Sequence, residues 1–310
     1  MRLEPEVDRA LRAAGLDVDA VLDTVRRALA EDLAYGPDVT TLATVPADVQ
    51  GVADLTPRRA GVLAGLPVAA AVFALVGEGR VGTTAHAEDG DATVPGRPVL
   101  TASGPVRDLL TAERTALNLI SQLSGVATLT RSLDDAVAHT DARIRDTRKT
   151  VPGLRSLQKY AVRCGGGVNH RMGLGDEALI KDNHVLAAGG IAAALAAIRA
   201  AAPGLPVEVE CDTLDQVAEA IVAGATLVLL DNMTPEQMRE AVTMARAAGG
   251  VELEASGGLT AGTVRGTAET GVDYIAIGAL THSAPVLDIG LDLRSPSLAR
   301  SGKEGPTPAR

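Results

Sequence analysis

Apolar residues recur at helical spacing in Val21, Leu22, Val25 and Leu29, with Arg26 and Arg27 on another face, which predicts a helix over residues 18–33. Short β-like runs at 51–57 and 61–63 follow, then a helix-like run at 67–76. Residues 77–104 are rich in Gly, Asp, Thr and Pro and read as hairpins and turns. This first third is a mixed α+β unit without regular alternation. The pattern changes near Val106, where a long helical run begins; it extends to about Ala138, with an expected interruption at Ser124-Gly125. Beyond it, β-like runs at 143–146, 179–182, 207–211, 227–231, 251–255 and 274–278 alternate with helix-like runs at 191–201, 214–223, 235–248 and 260–269. Repeated βα units of this length predict parallel strands with right-handed crossovers, in a barrel or an open sheet. The polar tail 295–310 is predicted to be disordered.

One regularity favours a barrel. Nearly every predicted strand carries charged or Gly residues at its C-terminal end: Asp146 to Lys149, Lys181-Asp182, Glu208 and Glu210, Asp231, Glu254 to Gly258, and Gly278. In a β/α barrel those ends share one mouth, where active sites sit. Glu208 and Glu210 lie on one face of VEVEC, and burying them calls for cationic partners.

Charge narrows the function classes. The chain of 310 residues is acidic, with a formal net charge of −10. Residues 143–171 invert that sign: Arg143, Arg145, Arg148, Lys149, Arg155, Lys159, Arg163 and Arg171 face one acid, Asp146. With Gly165, Gly166 and Gly167 alongside, the segment suits a small ligand bearing several negative groups. An acidic chain with one Phe and no Trp is poorly equipped to bind nucleic acid. Cys164 and Cys211 are distant in sequence and outside any zinc-ligand spacing, which predicts a reducing, cytoplasmic setting. The N-terminus is charged where a signal peptide is apolar, and no run is long enough for a membrane span.

Particular residues carry the candidate chemistry. Arg148 and Lys149 follow a predicted strand and together suit a dicarboxylate or a diphosphate. Asn169-His170-Arg171 adds a second donor set, and Lys181 ends another strand. Glu210 and Asp231 end consecutive strands, where carboxylates hold sugar hydroxyls or Mg²⁺, directly or through water. Ala255-Ser256-Gly257-Gly258 and Ile277-Gly278-Ala279-Leu280 each lie between a strand and a helix and read as phosphate cradles, with His282 near the second. Neither a GxxxxGK[ST] loop nor a complete dinucleotide fingerprint occurs where one would be needed.

In order along the chain, AERTALNLISQLSG, DTRKTVPGLRSLQKYAVRCGGGVNHRMGL, LIKDNHV, VEVEC, LLDNM, LEASGG and IAIGALTHS resemble the quinolinate phosphoribosyltransferase family, the carboxylating nicotinate-nucleotide pyrophosphorylases. The resemblance covers roughly residues 18–293. It implies an α/β subunit with an N-terminal α/β sandwich at 1–114, joined by a late strand at about 286–294, and an open, incomplete α/β barrel at 115–285. It implies a homodimer in which Arg114 reaches the partner's active site. Arg148, Lys149, His170, Arg171 and Lys181 match quinolinate and phosphate contacts; Glu210 and Asp231 match the ribose and metal region; Ser256, Gly257, Gly258, Gly278 and Ala279 match the 5′-phosphate loops. Lys149, Glu210 and Asp231 are the expected catalytic set. The implied reaction joins quinolinate to phosphoribosyl pyrophosphate with Mg²⁺, in the cytoplasm, without nucleic acid or membrane. The rival readings are a nicotinate-using or molybdenum-transport-associated paralogue and a non-catalytic anion sensor.

Overall fold

The computed structural model describes residues 3–294 and 297–298. It divides into two compact units: Gln122–Val286, and Met1–Ser121, which takes in the chain from Leu287 onward.

The first unit begins with helices α1 (Pro5–Ala13), α2 (Val18–Asp32) and α3 (Val39–Thr44), then strand β1 (Val49–Pro57), helix α4 (Leu66–Gly77) and strands β2 (Gly82–Ala85) and β3 (Leu100–Pro105). Helix α4, LPVAAAVFALVG, is apolar on all sides because it is covered on all sides, by α1 and α2 and by β2 and β3. Its larger side chains, Phe73 foremost, each contribute about 1.5–3 kcal/mol by leaving water. Asp89 accepts the Gly65 and Leu66 amides at 2.8 and 3.0 Å, satisfying backbone donors that the first turn leaves open. Residues 61–63 do not form the predicted strand; Val62 makes a single bridge to Ala92.

Helix α5 (Val106–Val137) runs unbroken through Ser124-Gly125, against the expected interruption. Gly125 is required by packing rather than by a break: a Cβ there would collide with the Pro285 carbonyl oxygen. Gly165 has a similar cause, since a Cβ there would stand 2.5 Å from the Ala127 carbonyl oxygen on α5.

The second unit alternates strand and helix: β4 (Arg143–Arg145), α6 (Arg155–Cys164), β5 (Ala178–Ile180), α7 (Asp182–Ala188), α8 (Ile191–Ala201), β6 (Val207–Cys211), α9 (Leu214–Val222), β7 (Leu227–Asp231), α10 (Pro235–Ala248), β8 (Glu252–Ser256), α11 (Val264–Ala268), β9 (Tyr274–Ala276) and α12 (Ala279–His282). The six strands are parallel in the order β4-β9-β8-β7-β6-β5. The first and last in that order do not pair with each other, so the barrel is open, as the resemblance implied. Val209, Cys211, Val228, Leu230, Leu253, Ala255 and Ile275 alternate along the strands and form one wholly buried face. Glu208, Glu254 and Arg145 occupy the alternate positions, on the opposite, interior face.

The chain then returns to the first unit as β10 (Ile289–Leu293), antiparallel to β1, giving the order β10-β1-β3-β2. Strand β11 (Ser297–Leu298) pairs with Val49 and Gln50. Apart from those two residues, the tail 295–310, expected to be disordered, lies outside the described residues. Among the described residues no single helix is long and apolar enough to cross a membrane.

Candidate active site

Parallel order decides what the strand ends share. Asp146 to Lys149 follow β4, Gly278 and Ala279 follow β9, Ser256 ends β8 and Gly257 and Gly258 follow it, Asp231 ends β7, Glu210 is the penultimate residue of β6, and Lys181 follows β5. All therefore lie at the C-terminal edge of one sheet, on neighbouring strands, in the place where α/β proteins bind ligands.

Arg148 is half-buried, and its Nε is shielded from solvent without a hydrogen-bond acceptor. A buried guanidinium donor without a partner is costly unless an anion completes it. Lys149 is exposed, and its side chain lies over Gly278: a Cβ on Gly278 would be 3.0 Å from Lys149 Cδ and 3.2 Å from His282 Nε2. Arg171 donates Nη1 to the Glu177 carbonyl at 3.1 Å, which aims its guanidinium. Lys181 pairs with Glu210 across β5 and β6. Asp231 accepts from Asn232 Nδ2 at 2.7 Å, and the Asn232 amide bonds the Ser256 carbonyl at 3.0 Å. That bond locks the ends of β7 and β8 together, with Gly257 and Gly258 in left-handed backbone at φ of 100° and 60°. The 255–258 loop does not open directly into a helix, since α11 starts at Val264; Gly278 does cap α12. Arg114 is exposed on α5, in the other unit, and makes no hydrogen bond or ion pair among the described residues.

His170 is placed differently from the other candidates, because both ring nitrogens are used inside the protein. Nδ1 accepts the Arg171 amide at 2.7 Å, so the proton resides on Nε2, which faces Glu208 at 2.8 Å. Burial above all pushes the imidazole below its ordinary range, keeping it neutral.

Half of the cations in the basic segment are engaged within the protein, two of them buried. Arg145 is buried between Glu254 at 2.6 Å, Glu177 at 3.5 Å and Glu208 at 3.9 Å, and stacks 4.9 Å from the Tyr274 ring. Lys159 is fully buried against Asp146. Arg155 bonds Thr150 and the Met172 carbonyl, and Arg163 bonds Asn169. The sequence shows the charge excess, but the fold consumes part of it and leaves Arg148 and Lys149 after β4 at the sheet edge, with Arg171 in the loop before β5. Glu208 and Glu254 are each pushed up to about 7, foremost by burial. Three carboxylates against one guanidinium and a neutral imidazole would otherwise leave excess negative charge in the barrel interior. His170, Glu177 and Glu208 also lie close enough to share a metal ion, but the Arg145 guanidinium already supplies the cation there.

Sequence reasoning did not single out Arg145, Glu177 or Glu254 for this interior network. The available signal was parity: Glu208 and Glu254 each sit between two apolar residues on short strands, and Arg145 follows the apolar Ile144.

Comparisons with known proteins give the family and the fold. The family models for the quinolinate phosphoribosyl transferase N-terminal and C-terminal domains match residues 38–124 and 126–292. A Mycobacterium leprae nicotinate-nucleotide pyrophosphorylase [carboxylating] is 54% identical, over 89% of this chain and 98% of its own length. A tobacco (Nicotiana tabacum) quinolinate phosphoribosyltransferase [decarboxylating], a mitochondrial protein, is 38% identical over 87% of this chain and 81% of its own. The solved nicotinate-nucleotide pyrophosphorylase of Francisella tularensis superposes with a TM-score of 0.86 at 40% identity, covering 90% of this chain and 98% of that one. The chain belongs to the quinolinate phosphoribosyl transferase family.

Proposed function

We propose that the chain converts quinolinate and phosphoribosyl pyrophosphate to nicotinate mononucleotide, pyrophosphate and carbon dioxide, a step of de novo NAD biosynthesis. The observation that carries the reading is the shared sheet edge. Arg148 and Lys149 follow β4 and Lys181 follows β5 on the edge where Glu210 and Asp231 end β6 and β7, and Lys181 pairs with Glu210 there, in a chain of this family.

Both substrates are polyanions, and each needs fixed cations in place of water. Arg148 offers a buried donor to one pyridine carboxylate, and Arg171 and Lys181 offer charge to the second. In this reading Lys181 leaves Glu210 when a carboxylate arrives, which frees the Glu210 side chain for the ribose. Lys149, lying over Gly278, is placed for the phosphate side, where Ser256 to Gly258 with Gly278 and Ala279 take the 5′-phosphate. Glu210 and Asp231 supply hard oxygen donors that suit Mg²⁺, held directly or through water with substrate phosphates completing its shell. Bound there, it would shield the pyrophosphate charge.

The chemistry follows from charge. As the anomeric C–O bond breaks and pyrophosphate leaves with the electron pair, positive charge grows on the ribose, and the Glu210 and Asp231 carboxylates oppose it. The pyridine nitrogen then forms the new N–C bond. Its ring, now cationic, accepts the pair released when the adjacent carboxylate leaves as carbon dioxide, and a proton from solvent completes the ring carbon. A pocket with little water favours that loss, because it removes solvation of the carboxylate. No protein nucleophile is required, and the Cys211 thiol, buried and pushed up to about 12, is inert.

The proposal extends to a homodimer in the cytoplasm, in which the exposed Arg114 serves the partner's site. The test is purified protein with quinolinate, phosphoribosyl pyrophosphate and Mg²⁺. One carbon dioxide and one nicotinate mononucleotide should appear for each pyrophosphate. Equal turnover of nicotinate would favour the paralogue reading, and binding without pyrophosphate release would favour the anion sensor.

A further inference from the structure

We infer that Gln158 and Lys159, neighbours on α6 that belong to none of the ligand loops, are positioning residues that hold those loops in mutual register. The inference rests on the site reading above. A fully buried lysine is rare, and a buried ion pair stabilises a fold less than apolar packing of equal volume would. What Lys159 provides instead is direction.

Its Nζ donates to Asp146 Oδ1 and, at 2.7 Å, to the His170 carbonyl. The same Asp146 Oδ1 accepts the His170 amide at 2.9 Å, so the peptide groups on both sides of His170 are held by one ion pair. Asn169 Nδ2 bonds Asp146 Oδ2 and, at 2.9 Å, the Lys159 carbonyl. Asp146 lies two residues before Arg148, and His170 immediately precedes Arg171. The pair therefore fixes one cationic loop against the other from behind.

Gln158 does the same for the third loop. Its Oε1 accepts the Val151 amide at 2.9 Å, and its Nε2 donates to the Thr281 carbonyl at 2.7 Å. Thr281 Oγ1 in turn donates to the Lys149 carbonyl at 2.9 Å. The Lys149 loop and the Gly278-Ala279 turn are thus tied through one buried amide. Two adjacent side chains of one helix, pointing in different directions around it, set three ligand loops.

The test compares Asp146→Asn/Lys159→Met, which removes the buried charges together, with Gln158→Met and with Arg148→Ala as a control for the site itself. Melting by circular dichroism establishes folding, and steady-state kinetics give kcat and KM for quinolinate and phosphoribosyl pyrophosphate separately. The double variant should melt cooperatively while its KM for quinolinate rises roughly tenfold to a hundredfold, the scale expected of a displacement near 1 Å. Gln158→Met should raise the KM for phosphoribosyl pyrophosphate more than that for quinolinate. Parental KM values, or a fall in kcat that only tracks the folded fraction, would overturn the inference. Should the double variant not fold, Gln158→Met decides by the same criterion. An Arg148→Ala protein with full activity would instead refute the site reading; an inactive one beside parent-like positioning variants would refute this inference alone.

Discussion

Glu254 shows how a residue whose type signals surface comes to act in the interior. Its side chain is fully buried beside Arg145 and pushed up to about 7 from 4.5, first by burial and then by Glu208. The folded protein therefore takes up a proton between those values. The stability this group contributes is fully present below pH 4.5 and is lost as the pH rises through 7. Glu254→Gln keeps the shape without the titration, so its stability relative to the parent should grow from pH 5 to pH 8. The gain should be at most about 1.4 kcal/mol per pH unit, read by urea unfolding. A relative stability that shrinks over that range would contradict the assignment. The same residue marks the limit of what the sequence discloses: Lys159 and Glu254 are charged, and only the closure of strands around them reveals that neither meets solvent.

Among the elements, legibility followed local signal. Strands β6 and β7 and helices α8 and α10 are where the pattern put them, because VEVEC alternates, LVLLD is a short apolar run closed by a charge, and the helical runs between them are long enough to read. Thr234 and Gln237 form a reciprocal capping box at the start of α10. Short elements escaped: α7 has seven residues and buries none of them, so it has no apolar periodicity to detect. Helix α6 has no counterpart among the predicted elements; Arg155, Lys159 and Arg163 read as one charge cluster, whereas Lys159 is buried on the helix. In α5 the glycine suggested a break where the fold required close approach. Gly125→Ala should leave helix content unchanged yet lower stability by about 1–3 kcal/mol, since the added methyl meets the Pro285 backbone. Calorimetry showing no loss would mean that the helix has room there.

For the whole molecule, the ordered motifs disclosed the family, because they run in sequence through both family domains. The proposed dimer, with Arg114 serving the partner's site, makes a sharp prediction. Arg114→Ala and Arg148→Ala subunits should each be nearly inactive as homodimers. After mixing under conditions that exchange subunits, about a quarter of parental activity should return, because half of the dimers are mixed and each then has one intact site. Arg114 acting within its own subunit would restore nothing.

The most direct test of the central claim, that cations from separate strand ends hold a pyridine with two ionised carboxylates, is calorimetric titration of quinolinate and of nicotinate into the parent and Arg148→Ala proteins. The account predicts that quinolinate binds the parent at least tenfold more tightly than nicotinate does, and that Arg148→Ala removes most of that difference while remaining folded. Equal affinity for the two acids, or a difference untouched by the substitution, would contradict it.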